Sequence, residues 1–140
     1  MQCCTFRVAG VLYGIDVLQV QEIIHPQAIT PVPLAPSAIQ GLINLRGQIV
    51  TATCLRRRLG LDPRGSGEAM IGIILRHGEE TVSLLADAIG DVIEIDDAKR
   101  EDPPETVPGQ VRSLLAGVVT LERELLLLLA ADAVLDLAPR

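Results

Sequence analysis

Short runs rich in Val, Ile and Leu recur along the chain, broken at close intervals by glycine, proline or charged pairs. That spacing is the signature of β-strands joined by tight turns. Cys4 to Val8 and Val11 to Ile15 flank Ala9-Gly10 as a hairpin. Leu42 to Leu45 and Gln48 to Thr53 form a second, turning at Arg46-Gly47, where glycine accepts the positive φ that a two-residue turn requires. Met70 to Leu75 and Thr81 to Leu85 turn at His77-Gly78, and Asp91 to Ile95 adds a further strand. Leu114 to Leu121 and Leu125 to Leu129 make a last hairpin around Glu122-Arg123-Glu124.

Helical signals are short. Asp16 is placed to cap a helix over Val17 to Ile24, whose Val17, Val20, Ile23 and Ile24 fall within an arc of about 120°. Leu18 lies on the polar side of that helix, either against a neighbouring loop or exposed for a partner. Pro26, Pro31, Pro33 and Pro36 exclude a regular helix and predict an extended loop. Leu55 to Leu59 reads as a helical turn stopped by Gly60, and Ala131 to Leu137 as a closing helix. Asp62 to Glu68 reads as a flexible connection, and Asp96 to Gln110 as a surface loop. The sum is about nine or ten short strands, which predicts an all-β barrel or sandwich. Each half carries a similar succession of hairpins, a symmetry that two small barrels sharing strands would satisfy.

The 140 residues suffice for one compact domain, and 49% are hydrophobic, yet Phe6 and Tyr13 are the sole aromatics. A net charge of −6 argues against nucleic acid as a partner. Arg56-Arg57-Arg58, the one basic cluster, reads as a solvated element, since adjacent side chains on a helix diverge. Cys3, Cys4 and Cys54 lack metal-ligand spacing and read as reduced thiols. The N-terminus lacks the pattern of a signal peptide. The longest apolar run, Leu125 to Ala131, is far below the ~20 residues that span a bilayer, so a soluble protein without membrane insertion is expected.

No catalytic constellation emerges. His25 stands beside Pro26 and His77 at a turn, neither within a nucleophile motif. Asp87, Asp91, Glu94, Asp96 and Asp97 lack the spacing of a calcium loop and read as a solvated strand edge. Gly65-Ser66-Gly67 is a linker without the residues of a phosphate cradle. A barrel without chemistry points to binding, through the Arg46 turn, the outward side of the first helix and their flanking loops.

Several segments in order resemble the CheW family of chemotaxis coupling proteins. They are Leu12-Tyr13-Gly14-Ile15-Asp16-Val17, Val20-Gln21-Glu22-Ile23-Ile24, Thr30 to Pro36, and Gly41-Leu42-Ile43-Asn44-Leu45-Arg46-Gly47-Gln48-Ile49-Val50. Leu55-Arg56, Arg58 to Leu61, Val82 to Glu94 and Leu115 to Leu129 extend the similarity over nearly the whole chain. The resemblance implies one CheW-like domain over residues 1–140, built of two interlocked five-stranded SH3-like barrels, with no cofactor. It also implies a non-enzymatic, cytoplasmic adaptor at receptor arrays on the inner face of the membrane. Its partners would be methyl-accepting chemoreceptors and a CheA-type histidine kinase. The implied receptor contacts map onto Val20, Gln21, Glu22, Ile23, Asn44, Arg46 and Gly47, with the kinase on the other barrel. The sequence departs from the family pattern at Cys54 and Ala130, where a carboxylate would cap backbone N–H groups at a strand-to-helix junction. A divergent scaffold of a non-flagellar chemosensory pathway, or a small ligand-binding β-barrel, is the alternative expectation.

Overall fold

The computed structural model describes residues 1–26, 28–63 and 70–136. Among them lie ten strands in two five-stranded sheets. The first sheet takes β1 (Gln2–Val8), β2 (Val11–Asp16), β8 (Ala88–Glu94), β9 (Leu115–Thr120) and β10 (Leu125–Leu129). The second takes β3 (Val20–Ile24), β4 (Ile39–Leu45), β5 (Gln48–Cys54), β6 (Ile71–His77) and β7 (Glu80–Ala86). Their orders, β8-β1-β2-β10-β9 and β3-β6-β7-β5-β4, follow one plan. Each has an edge strand, a hairpin, one parallel pairing (β2 with β10, β5 with β7) and a second hairpin. The chain passes from the first sheet to the second after β2 and returns after β7, so the sheets interlock.

Burial follows from that arrangement. The largest core lies between the sheets, where Phe6, Tyr13 and Ile15 of one join Ile73, Leu75 and Leu84 of the other. Phe6 and Tyr13 stack there, ring centroids 6.3 Å apart. A second cluster, with Cys3, Leu12, Val119, Leu126 and Leu128, occupies the far face of the first sheet, and a third, with Ile43, Ala52 and Leu85, belongs to the second sheet. The unbroken leucine run of β10 is thereby explained. Leu127 and Leu129 enter the shared core while Leu126 and Leu128 enter the second cluster, so neither face of the strand is left for water. Cys3 and Cys4 divide between the same two cores. Gly14 sits where the sheet is crowded, since a Cβ there would fall on the Cys3 Sγ.

All three cysteines are free and buried. Burial pushes the Cys3 thiol up to about 11 and raises that of Cys4 as well, which suppresses the reactive thiolate. The native protein at pH 8 should therefore resist a disulfide reagent such as dithionitrobenzoate and react rapidly once denatured. Fast reaction of the folded chain would show that the strands part readily.

Four expectations are corrected. Val17 to Ile24 is not a helix: a single 3-10 turn at Val17–Gln19 is followed by β3. β6 needs a partner for its outer backbone edge, and pairing with it outweighs a short amphipathic helix. The β6–β7 turn centres on Gly78-Glu79, one residue later than expected, closed by His77 opposite Glu80. The three arginines are not a solvated element. Arg57 is exposed, but Arg56 pairs with Asp87, and Arg58 donates to the carbonyls of Ala133 and Val134 at 2.7 Å, holding the end of α3 (Ala131–Leu135). Asp87 accordingly leaves the solvated acidic group, while Asp91, Glu94, Asp96 and Asp97 are exposed as expected.

Asp96 to Gln110 carries a 3-10 turn at Asp97–Lys99 and a bridge from Glu101 to Val118, and leads into α2 (Gly109–Arg112). The connection expected at Asp62 to Glu68 lies outside the described residues beyond Pro63.

Cys54 and Ala130 stand at the N-caps of α1 (Leu55–Arg58) and α3, and neither side chain makes a capping hydrogen bond. Ala130 has extended backbone and partial exposure. Ala130→Ser should therefore stabilise the fold by about 1 kcal/mol, raising Tm by roughly 3 °C in a thermal melt. An unchanged or lower Tm would show that the cap geometry is not open to a hydroxyl.

Candidate protein-binding surface

Two elements distant in sequence build the candidate surface. The β4–β5 turn is closed by Leu45 opposite Gln48, and both central residues have positive φ, 50° at Arg46 and 86° at Gly47. That is the type I′ geometry matching the twist of a hairpin. The Asn44 carboxamide oxygen accepts the Gly47 N–H at 2.8 Å, adding a side-chain brace to the turn. The tip is thus rigid, and it holds the Arg46 guanidinium in solvent with 69% of its side-chain surface exposed.

β3 supplies the other wall. Its register against β6 slips between Val20 and Glu22, a bulge that places Gln21 out of step. In an unbroken strand Val20 and Ile23 would face opposite sides. With the bulge both pack against the shared core, half-buried, while Ile24 turns to the core of the second sheet. Gln21 is exposed. Leu18, in the turn before β3, stands out from the fold with 89% of its surface exposed.

Glu22 joins the two walls. Its carboxylate accepts both terminal guanidinium nitrogens of Arg46, one at 3.1 Å. This hydrogen bond, with the positive charge behind it, holds the Glu22 carboxyl below the usual glutamate range and the Arg46 guanidinium above its own. The pair is therefore fully charged at neutral pH. Its contribution is lost only as pH falls through the depressed Glu22 value. At an exposed site that contribution to stability is small.

Beside the turn, Ile24, Pro26, Ala28, Ile43 and Leu45 line an open cleft of roughly 360 Å³, with His25 and Asn44 as its polar rim. The loop that follows is pinned to β4 by reciprocal Thr30–Leu42 backbone hydrogen bonds of 2.9 and 2.8 Å. Gly41 allows this approach, since a Cβ there would fall on the Thr30 carbonyl.

Val20, Gln21, Glu22 and Ile23 lie on β3, and Asn44, Arg46 and Gly47 belong to the β4–β5 hairpin, joined through the Glu22–Arg46 pair. The sequence places Arg46 at a hairpin turn and carries no sign of a partner for its guanidinium. Its partner stands 24 residues away on a segment expected to be helical, so no local spacing links them. Among the described residues, no group of three His, Cys, Asp or Glu side chains is arranged to hold a metal ion. No described helix is long and apolar enough to cross a membrane.

Residues 2–138 match the family model of the CheW-like domain. The chemotaxis protein CheW of Bacillus subtilis is 34% identical over 131 residues, covering 94% of this chain and 84% of the relative. That of Treponema pallidum is 32% identical over 122 residues, covering 84% and 72%. Among solved structures, the crystal structure of the scaffolding protein TtCheW from Thermoanaerobacter tengcongensis matches with a TM-score of 0.84 at 29% identity, over 95% of this chain and 86% of that one.

Proposed function

Since this chain belongs to the CheW-like family of chemotaxis proteins, we propose that it is a two-surface adaptor coupling chemoreceptors to a kinase. It grips the cytoplasmic tip of a methyl-accepting chemoreceptor with β3 and the β4–β5 turn. A second surface binds the CheW-like regulatory domain of a CheA-type histidine kinase. The chain acts in the cytoplasm, at receptor arrays on the inner face of the membrane. It contributes no covalent step.

The observation that carries this reading is the braced Arg46 at a rigid hairpin tip. Glu22 occupies one edge of the planar guanidinium, which leaves its other donors directed at solvent and already oriented. A receptor-tip carbonyl or carboxylate is thus met by donors that lose little freedom on binding. Around it, Gln21 and the half-buried Val20 and Ile23 supply the mixed apolar and polar rim of a protein interface. Holding receptor and kinase together raises their effective concentration, and signal passes as a change in their relative geometry.

Purified chain should be captured by an immobilised receptor cytoplasmic fragment and, separately, by a kinase regulatory domain. It should also bridge the two when they are mixed. Capture by neither fragment would end the adaptor reading, and capture by only one would end its two-surface form.

A further inference from the structure

Branched aliphatic packing sets how far apart the sheets lie, but hydrophobic contact is non-directional and leaves their angle free to shear. Directional contacts must fix that angle. One set gathers where the chain returns from the second sheet to the first. Asp87 is the single residue between β7 and β8. Its carboxylate accepts the Nε and Nη2 hydrogens of Arg56, at 2.9 and 2.6 Å, and the backbone N–H of Ala9 at 2.8 Å. Its own N–H donates to the Arg7 carbonyl at 3.0 Å. Arg7 and Ala9 frame the β1–β2 turn of the first sheet, whereas Arg56 lies in α1, directly after β5 of the second.

The pair is largely withdrawn from water, with side-chain exposures of 22% for Arg56 and 14% for Asp87. Partial burial makes the interaction stiffer than a surface ion pair, because the competing solvent is mostly gone. A bidentate guanidinium also fixes orientation as well as distance.

We propose that Asp87 and Arg56 are positioning residues, a strut that fixes the angle between the sheets and with it the relative orientation of the adaptor's two partner surfaces. The functional half of this proposal rests on the two-surface reading above. The mechanical half does not. Asn at position 87 with its carbonyl oxygen in the Oδ2 place could still accept from Ala9 and from Arg56 Nη2, but its NH2 group would oppose the Arg56 Nε–H, so the strut would lose its bidentate fork and its negative charge while side-chain size is kept.

Spin labels at Thr120→Cys in the first sheet and Glu80→Cys in the second, both exposed positions, would report the angle as a distance distribution. In the otherwise unchanged chain that distribution should be narrow. Asp87→Asn should shift or widen it by about 2 Å or more. Val134→Ala, which thins the shared core without touching the strut, should lower stability and leave the distance unchanged. If Asp87→Asn does not fold, Arg56→Lys, which keeps the charge but not the bidentate fork, carries the same measurement. A distribution in the strut variant that matches the parent would overturn the proposal.

In reconstituted receptor–kinase complexes, Asp87→Asn should keep each separate affinity within about threefold while the kinase response falls about tenfold. A displaced distance with a full kinase response would overturn the functional half alone. Failure of the parent chain to bind either partner would instead sink the adaptor reading, with the distance measurement still deciding the strut.

Discussion

Arg46→Glu should weaken capture by a chemoreceptor tip about 30-fold or more while the protein stays folded, with Tm within about 2 °C of the parent. The residue sits at an exposed turn, so no core contact is lost. Reversal places two carboxylates against one another at the Glu22 site and removes every outward donor. Glu22→Gln should be milder, since an amide oxygen can still accept from Arg46 but no longer carries the charge that holds it. The informative variant is the exchange Glu22→Arg with Arg46→Glu, which rebuilds an ion pair with its polarity reversed. If the partner reads the outward N–H donors of Arg46, the exchange stays weak. Full recovery of binding in a titration with receptor fragment would show that the pair only straps β3 to the turn, and the direct-contact assignment would fall.

Phe6→Ala should destabilise the whole protein by about 4 kcal/mol, a large share of the roughly 5–15 kcal/mol that holds a domain of this kind together. Phe6 is fully buried between the sheets and stacks on Tyr13, so its removal leaves a cavity lined by both. Leu18→Ala, which removes an apolar side chain of comparable chemistry from an 89% exposed position, should change stability by less than about 0.5 kcal/mol. Because one core serves both sheets, the loss should appear as a single earlier transition. Far-ultraviolet circular dichroism and the fluorescence of Tyr13, the only tyrosine, should report the same midpoint in urea. Two separated transitions would show that the sheets are independent folding units, against the single domain expected from the sequence.

The contrast between those two residues shows how much is legible in the order of amino acids. Phe6 lies in an alternating run beside a turn, and its burial follows from a strand with an apolar face. Leu18 is out of place on the predicted helix and proves exposed, although the helix itself gives way to a turn and a strand. The Val17 to Ile24 segment satisfies both periods over so short a stretch, and eight residues cannot hold a helix in water without tertiary support. β6 decides the matter by presenting an unpaired edge.

The candidate site divides the same way. The turn at Arg46-Gly47 is readable because positive φ is written into residue type, and a hairpin tip exposes whatever it carries. The brace from Glu22 is not readable, nor are the ties of Arg56 to Asp87 and of Arg58 to the end of α3. Each joins residues far apart along the chain. The triplet of arginines looks uniform, yet packing assigns its members to a strut, to solvent and to a helix end.

By itself, then, the sequence determined most of the strands and turns, the all-β class and the resemblance to a chemotaxis coupling family, because strand period, turn chemistry and ordered motifs are properties of neighbouring residues. Only the tertiary structure decided that Val20 to Ile24 is an edge strand with a bulge, that Arg46 is braced by Glu22, and that Asp87 and Arg56 tie the two sheets together. Those outcomes depend on which distant groups packing brings within hydrogen-bonding reach, and charge pairs formed across such distances leave no periodic trace along the chain.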